Sequence, residues 1–366
     1  MTGRAIEEEW RRVEREAFDR HSDEVRLADA VGGMVATAGP IAVGLASGHP
    51  HAGMVVGLGG LNVALSMGAG RPRARAPWGL ATLVLGAAVT GVATLVHPVA
   101  WSSVVLAFVV CGLASASRVL GREATLVGFV VSASFVIADG LEGVAADAGP
   151  RALQYLAGGA LALVLMLVAG LADPVTAPAS VDRSRAAALR AVRTRPGLQR
   201  HMVVVASTVA ATTLLYRALG VDFGYWIPLT ALAVLQPEAH ASRVRVVQRA
   251  SGTMVGVLVV VVLVRLSSSD VVLVGGVAVA AFGLFALRER SYHWLVTMIT
   301  PTVLLMISTI DPEATDLVET RLVATALGLA ASLVAITALG WPDEHPSAAS
   351  GTGRRDTSAP GPRDGD

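Results

Sequence analysis

The sequence is poor in the groups that build enzyme centres and disulfide frameworks. It has one cysteine, Cys111, so no disulfide can close within the chain and no metal-type cysteine spacing exists. Cys111 lies in an apolar run and reads as a small buried residue. Lysine is absent, and all 29 basic residues are arginine, a bias that reflects composition more than mechanism. Charged residues make up 16% of the chain, against 53% hydrophobic ones. There is no Walker A run, no G-x-S-x-G elbow and no paired-histidine metal spacing. An ATP-driven pump and a membrane hydrolase are therefore disfavoured, and we expect no enzyme, no catalytic residue, no cofactor, no metal and no nucleic-acid partner. A cleavable leader is not expected either, because the first thirty residues are charged rather than an apolar stretch before a small-residue cleavage site.

What is abundant is long apolar sequence. The mean hydropathy is +0.61, and the apolar residues fall in uninterrupted runs rather than in helical stripes. That pattern marks a chain dissolved in lipid. A span needs roughly 20 apolar residues. Twelve runs qualify: about 30–47, 52–69, 77–96, 99–117, 124–140, 151–171, 201–219, 223–237, 249–266, 270–287, 292–310 and 320–341. The expected fold is an all-α membrane protein of about 12 transmembrane helices.

Arginine placement supplies an orientation. With the N-terminus in the cytoplasm, the inside loops and tails carry 25 arginines. The outside keeps Arg151, Arg217, Arg265 and Arg321. The positive-inside bias thus favours a multi-pass protein of the cell membrane with both termini cytoplasmic. Before the first span, residues 1–29 form a cytoplasmic arm. Ile6, Trp10, Val13 and Ala17 share one helical face there, with Glu7–Arg11, Glu8–Arg12 and Glu16–Arg20 as i,i+4 pairs. An interfacial helix and a solvated cytosolic one both fit. The tail, 342–366, is Pro-, Gly-, Ser- and Arg-rich and reads as disordered.

The chain also repeats itself. At an offset of 170 residues, Arg73-Ala-Arg75 falls on Arg243-Val-Arg245, Gly86 on Gly256, Arg151 on Arg321 and Gly158 on Gly328. The expected domains are a first six-helix repeat over 30–171, an Arg-rich linker over 172–200 and a second repeat over 201–341. Six spans per copy make the repeats parallel, related by a pseudo-two-fold axis along the membrane normal. A pathway would run between them.

The run Tyr225-Trp226-Ile227-Pro228-Leu229-Thr230, then Leu235-Gln236-Pro237, Arg243, Gln248-Arg249, Gly252-Thr253 and Gly256, resembles the signature of the fusaric acid resistance family. So do Tyr292 to Met306, with Thr300-Pro301, and the closing segment from Arg321 to Gly328. The resemblance spans 200–341 and extends more weakly over 30–171. It implies kinship with aromatic carboxylic acid exporters and with plant aluminium-activated malate channels, hence movement of organic anions. The larger family exporters carry a sizeable cytosolic domain, for which this chain has only a short linker and tail.

Four groups of residues are candidates for such chemistry. Arg151 and Arg321, at the outer ends of spans six and twelve, could form a cationic ring that grips carboxylates bidentately. Arginines at span ends also snorkel to headgroups. Arg73, Arg75, Arg243 and Arg245 could gather anions at an inner vestibule, or serve topology alone. Spans two and eight are interrupted by Gly or Pro, the mark of a transporter site, and bring Asn62, Pro228 and Thr230. Tyr225 and Trp226 could stack on an aromatic ring or anchor at the interface. Gly53/Gly57 and Gly252/Gly256 fit small-xxx-small packing. Last, His97, His201 and His293 lie near span ends and could carry protons, whereas Asp139 and Glu142 read as solvated loop acids.

The sequence thus points to a transporter, with the bilayer and a small organic anion, including aromatic acids, as its partners, and efflux as the expected direction. A passive anion channel and a non-transporting scaffold for a cytosolic protein are the alternatives. Association with a second copy or an accessory protein is open.

Overall fold

The computed structural model describes residues 3–19, 25–68, 70–141, 143–172, 185–267, 269–311 and 316–338. The tail over 342–366, Glu142 and the linker over 173–184 lie outside the described residues.

Among the described residues the secondary structure is all helix. In chain order the helices are α1 (Gly3–Phe18), α2 (Leu27–Ala46), α3 (Pro50–Ser66), α4 (Pro72–Val96), α5 (Ala100–Ala116), α6 (Arg122–Gly140) and α7 (Ala148–Ala169). There follow α8 (Arg185–Thr194), α9 (Pro196–Leu219), α10 (Trp226–Val234), α11 (Ala239–Leu266), α12 (Asp270–Leu287), α13 (Tyr292–Ser308) and α14 (Leu317–Ala338). Short 3-10 turns at Ser117–Leu120, Ala145–Asp147 and Gly170–Ala172 extend α5, precede α7 and follow it.

The starts are written locally. Pro50, Pro72 and Pro196 stand in the first turn of α3, α4 and α9, where a missing N–H costs nothing. Gly220, left-handed at φ 61°, closes α9.

Nine described segments are long and apolar enough to cross a membrane: α2, α4, α5 with its 3-10 turn, α6, α7 with the turn before it, α9, α11, α12 and α14. Helices α3 and α13 have 17 residues each, and α10 has nine. Nine residues rise about 13 Å, less than half of a hydrocarbon core about 30 Å thick. The outer surface carries large apolar side chains, among them Val84, Trp101, Leu113, Leu153, Leu258 and Val271. Asp29, Asn62, Arg75, Asp139, Arg249 and Arg321 are buried. Apolar residues outward and polar ones inward is the arrangement lipid demands.

Close packing organises the interior. Helix α3 lies between α2 and α7, and α4 lies between α6 and α7. Later in the chain, α11 packs on α13, α12 on α13 and α10 on α14. The most extensive contacts that tie the early helices to the late ones are two: α5 crosses α9, and α12 crosses α2. A Cβ at Gly158 would collide with the Val56 carbonyl, so the α7–α3 approach requires glycine there. Gly53 meets the backbone of Gly44, while Gly252 and Gly256 meet Val296 and Thr300 on α13.

Helix α1 docks on α11. Val13 and Ala17 of the expected apolar face are fully buried, whereas Trp10 is exposed. Gln248 donates from Nε2 to the Ala17 carbonyl at 3.0 Å, and the Phe18 ring meets His293 edge-on. Within the linker, α8 is helical ahead of α9.

Candidate functional site

A cavity of about 90 Å³ opens among α3, α6, α10, α11, α13 and α14. Its wall is mostly apolar: Met54, Leu58 and Leu61 from α3, Phe129 and Ala133 from α6, Val303 and Met306 from α13. Polar groups reach it at few points, chiefly Asn62, Tyr225, Arg249 and Arg321. Among the described residues, no aspartate or glutamate lines it.

The two arginines dominate its electrostatics. Arg249 is 5% exposed and Arg321 4%. Nε of Arg249, and both Nε and Nη1 of Arg321, are buried without a hydrogen-bond partner. The guanidinium of Arg321 sits over the Trp226 ring, 4.8 Å from its centroid. A ring face offsets part of the cost of a buried cation but none of its net charge. Arg249 adds a like charge close enough to repel it. Isolated charges in a low-dielectric interior cost several kcal/mol each, so the two guanidiniums make this wall electropositive.

Local structure places these groups. The turn between α9 and α10 bends through Phe223, whose φ of 54° is unusual for a residue with a Cβ. Phe223 stacks on Trp226 with ring centroids 5.5 Å apart, and Tyr225 meets Trp226 edge-on. This cluster seats the start of the half-length helix α10 beside Arg321. On the opposite wall, Asn62 donates to Ser134 Oγ at 3.0 Å, and Ser134 shares a 3.1 Å hydrogen bond with the Tyr155 hydroxyl.

Four of the residues singled out in the sequence, Asn62, Tyr225, Trp226 and Arg321, thus meet on one cavity. Pro228 and Thr230 are buried on α10 away from it, with Thr230 against Gly328 of α14. Arg151 does not share the cavity with Arg321. It donates from Nη1 to the carbonyl of Leu141, a wall residue, at 3.2 Å, and so stands one layer behind.

The Arg-x-Arg pairs are dispersed. Arg73 is exposed and Arg243 half-buried. Arg75 is buried, held by Asp29 through hydrogen bonds of 2.9 and 2.6 Å and donating also to the Met166 carbonyl. Arg245 lies over the Tyr292 ring, 3.8 Å from its centroid. Neither Arg75 nor Arg245 lines the cavity. Arg288 joins the Asp29 cluster, 3.5 Å from Oδ2, while donating to the carbonyls of Ala64 and Met67 at the end of α3.

Asp139 corrects the expectation of a solvated loop acid. It is 2% exposed and accepts from Ser103 at 2.5 Å, Tyr216 at 3.2 Å and Arg217 at 3.3 Å. His97 meets the Asp139 carbonyl at 2.6 Å, and Arg217 also donates to the His97 carbonyl. His293 contacts Ser251, and His201 is fully buried.

Sequence reasoning did not single out Arg249 as a ligand. It placed that residue on the cytoplasmic flank of a span beginning there. The helix starts ten residues earlier, at Ala239, which sets Arg249 about 15 Å along α11. The signal was present: Ala239 to Gln248 has no helix breaker.

Comparison with known proteins bears on these same helices. Residues 209–335, from α9 into α14, match the family described as fusaric acid resistance protein-like. The matched segment supplies α10, α11, α13 and most of α14, hence both cavity arginines. The chain is 31% identical over 147 residues to an uncharacterized protein, ORF2, of Neisseria gonorrhoeae, covering 40% of this chain and 35% of that one. It is 33% identical over 146 residues to an uncharacterized protein of Haemophilus influenzae, covering 40% and 20%. It is 32% identical over 147 residues to the inner membrane protein YccS of Escherichia coli, again covering 40% and 20%. The chain therefore spans only about a third to a fifth of the length of these relatives. No solved structure matches it.

Proposed function

We propose that this protein moves small organic anions, aromatic carboxylates among them, across the cell membrane through the Arg249–Arg321 cavity. The observation that carries the reading is the pair of buried guanidiniums on an apolar wall that, among the described residues, has no acid on it. A carboxylate with an apolar body answers both features: its charge offsets the arginines and its body replaces water against Phe129 and Trp226.

The pathway lies between two parallel six-helix repeats, 30–171 and 201–341. Several facts support that arrangement. Helices α4 and α11, α5 and α12, and α6 and α13 follow one another at the 170-residue offset. The crossing of α12 on α2 mirrors that of α5 on α9. Gly158 meets the Val56 carbonyl of α3 as Gly328 meets the Ile227 carbonyl of α10. Both short helices, α3 and α10, line the cavity. The arginine bias of the loops supports cytoplasmic termini, and the direction we propose is efflux.

Purified protein in liposomes, screened with benzoates, fusarate-like acids and dicarboxylates, should move at least one of them. Arg249→Gln with Arg321→Gln should then reduce flux by about 100-fold or more, since each charge-assisted contact contributes on the order of 1.5–3 kcal/mol. Wild-type flux in that double variant would sink the proposal. Voltage-driven currents indifferent to a proton gradient would favour a passive channel over a coupled exporter.

A further inference from the structure

A second, smaller cavity of about 20 Å³ lies beside the first, among α5, α6, α9 and α10. Its polar lining includes Arg118, His201, Ser115 and Thr125. Phe129, half-buried on α6, lines both cavities. One aromatic side chain thus stands between two voids that each carry arginine. At about 20 Å³ the smaller void admits a water-sized group and not the body of an organic acid.

Arg118 gains its meaning from its counterpart. Arg118 and Arg288 stand 170 residues apart, the first just beyond α5 and the second just beyond α12. Where α12 crosses α2, Arg288 meets the Asp29 carboxylate and two carbonyls at the end of α3. Where α5 crosses α9, Arg118 reaches, among the described residues, the Gln236 amide oxygen, 3.4 Å from both Nη1 and Nη2, and faces His201 across the small cavity. No described carboxylate pairs with Arg118, and Arg245 adds positive charge nearby. At the first crossing the chain brings its own carboxylate to the arginine. At the second it brings an imidazole and an amide.

We infer that Arg118, with His201 and Gln236, forms a second carboxylate-binding subsite, and that Phe129 is the movable partition between it and the Arg249–Arg321 cavity. This inference rests on the function proposed above. An anion held by two buried arginines needs a neighbouring cationic site of lower depth to leave towards, because conduction requires several sites none of which binds too tightly. Arg118 is suited to that task. It is only part-buried, and its amide partner yields more readily than a carboxylate would. Rotation of the Phe129 ring off the shared wall merges the two voids and lets the carboxylate pass head first.

The test uses benzoate as probe, with equilibrium binding to the solubilised full chain and flux from liposomes read in parallel. Phe129→Ala should weaken benzoate binding, because the ring lines the cavity, and yet raise flux at saturating benzoate by about tenfold, as removing a steric partition lowers a barrier. Arg118→Gln should lower flux by about tenfold, with partial recovery in Arg118→Lys, the size of one charge-assisted contact. Thermal melts identify any variant that merely fails to fold, and Arg118→Lys then carries the test for that position. Wild-type binding and flux with no change of flux in either variant would overturn this inference alone. If the wild-type protein neither binds nor moves benzoate, the cavity reading fails and takes this one with it.

Discussion

Asp29 holds two buried guanidiniums at once, those of Arg75 and Arg288. In sequence it looks like an ordinary acid at the mouth of the first span. Its importance follows from position: removing the carboxylate leaves two cations uncompensated in a low-dielectric interior. Asp29→Asn should therefore destabilise the protein by about 3–5 kcal/mol, seen as a lower melting temperature in detergent. Glu289, in the turn between α12 and α13, behaves differently because it is nearer to water. Burial alone would raise its carboxyl, but the guanidiniums of Arg288 and Arg122 outweigh that and hold it below the usual glutamate range. A depressed carboxyl adds stability above its unfolded pKa and loses it as pH falls through the folded value. The stability gap between wild type and Glu289→Gln should thus be full near neutrality and close below pH 4.5. Denaturant melts over that range check it. Arg122 is largely exposed, so the gap should also shrink with salt.

At the scale of the helix, the expected spans landed on helices wherever the apolar run was long. Runs near 77–96, 270–287 and 292–310 correspond to α4, α12 and α13. Misjudged were the polar starts. Helix α11 begins at Ala239 rather than at residue 249, because an arginine-rich segment reads as loop to hydropathy but is a good helix former when its side chains are sheltered. Helix α10 is legible as short from Pro228 in its first turn and Pro237 beyond its end, though its seat beside Arg321 is not. Helix contacts through glycine carry a second expectation. Gly158→Leu forces α7 from α3 and should cost about 1–3 kcal/mol or more, whereas Gly149→Ala, with nothing within 4 Å, should be neutral or slightly stabilising. Thermal melts of the two variants separate packing from propensity.

Over the whole molecule, the early and late helices are joined through the α5–α9 and α2–α12 crossings. The first can be trapped. A Cβ at Gly112 would lie 3.2 Å from that of Ala206, slightly inside the usual disulfide range of about 3.5–4.5 Å. With Cys111→Ser, the pair Gly112→Cys and Ala206→Cys should oxidise to one bridge. If a protease site is inserted in 173–184, the two fragments should then stay joined on a non-reducing gel and part on reduction. Fragments that part without reductant would refute the crossing.

The arginines show where the sequence stops informing. Apolar run length is a property of the chain taken residue by residue, so the all-helical membrane class, most helix positions and the glycine-rich contacts could be read directly. The four residues later found on one cavity could also be nominated, from an interrupted helix and a repeated arginine. Neutralisation of charge is a property of neighbours in space. Asp29 and Arg75 are separated by a whole helix, and Arg118 and His201 by three. Only the tertiary packing decided that Arg75 and Arg288 share a carboxylate, that Arg217 binds Asp139, and that Arg249 and Arg321 face one apolar cavity. The physical reason is that hydropathy adds along the chain, whereas the free energy of a buried charge is set by which opposite charge the fold places within reach.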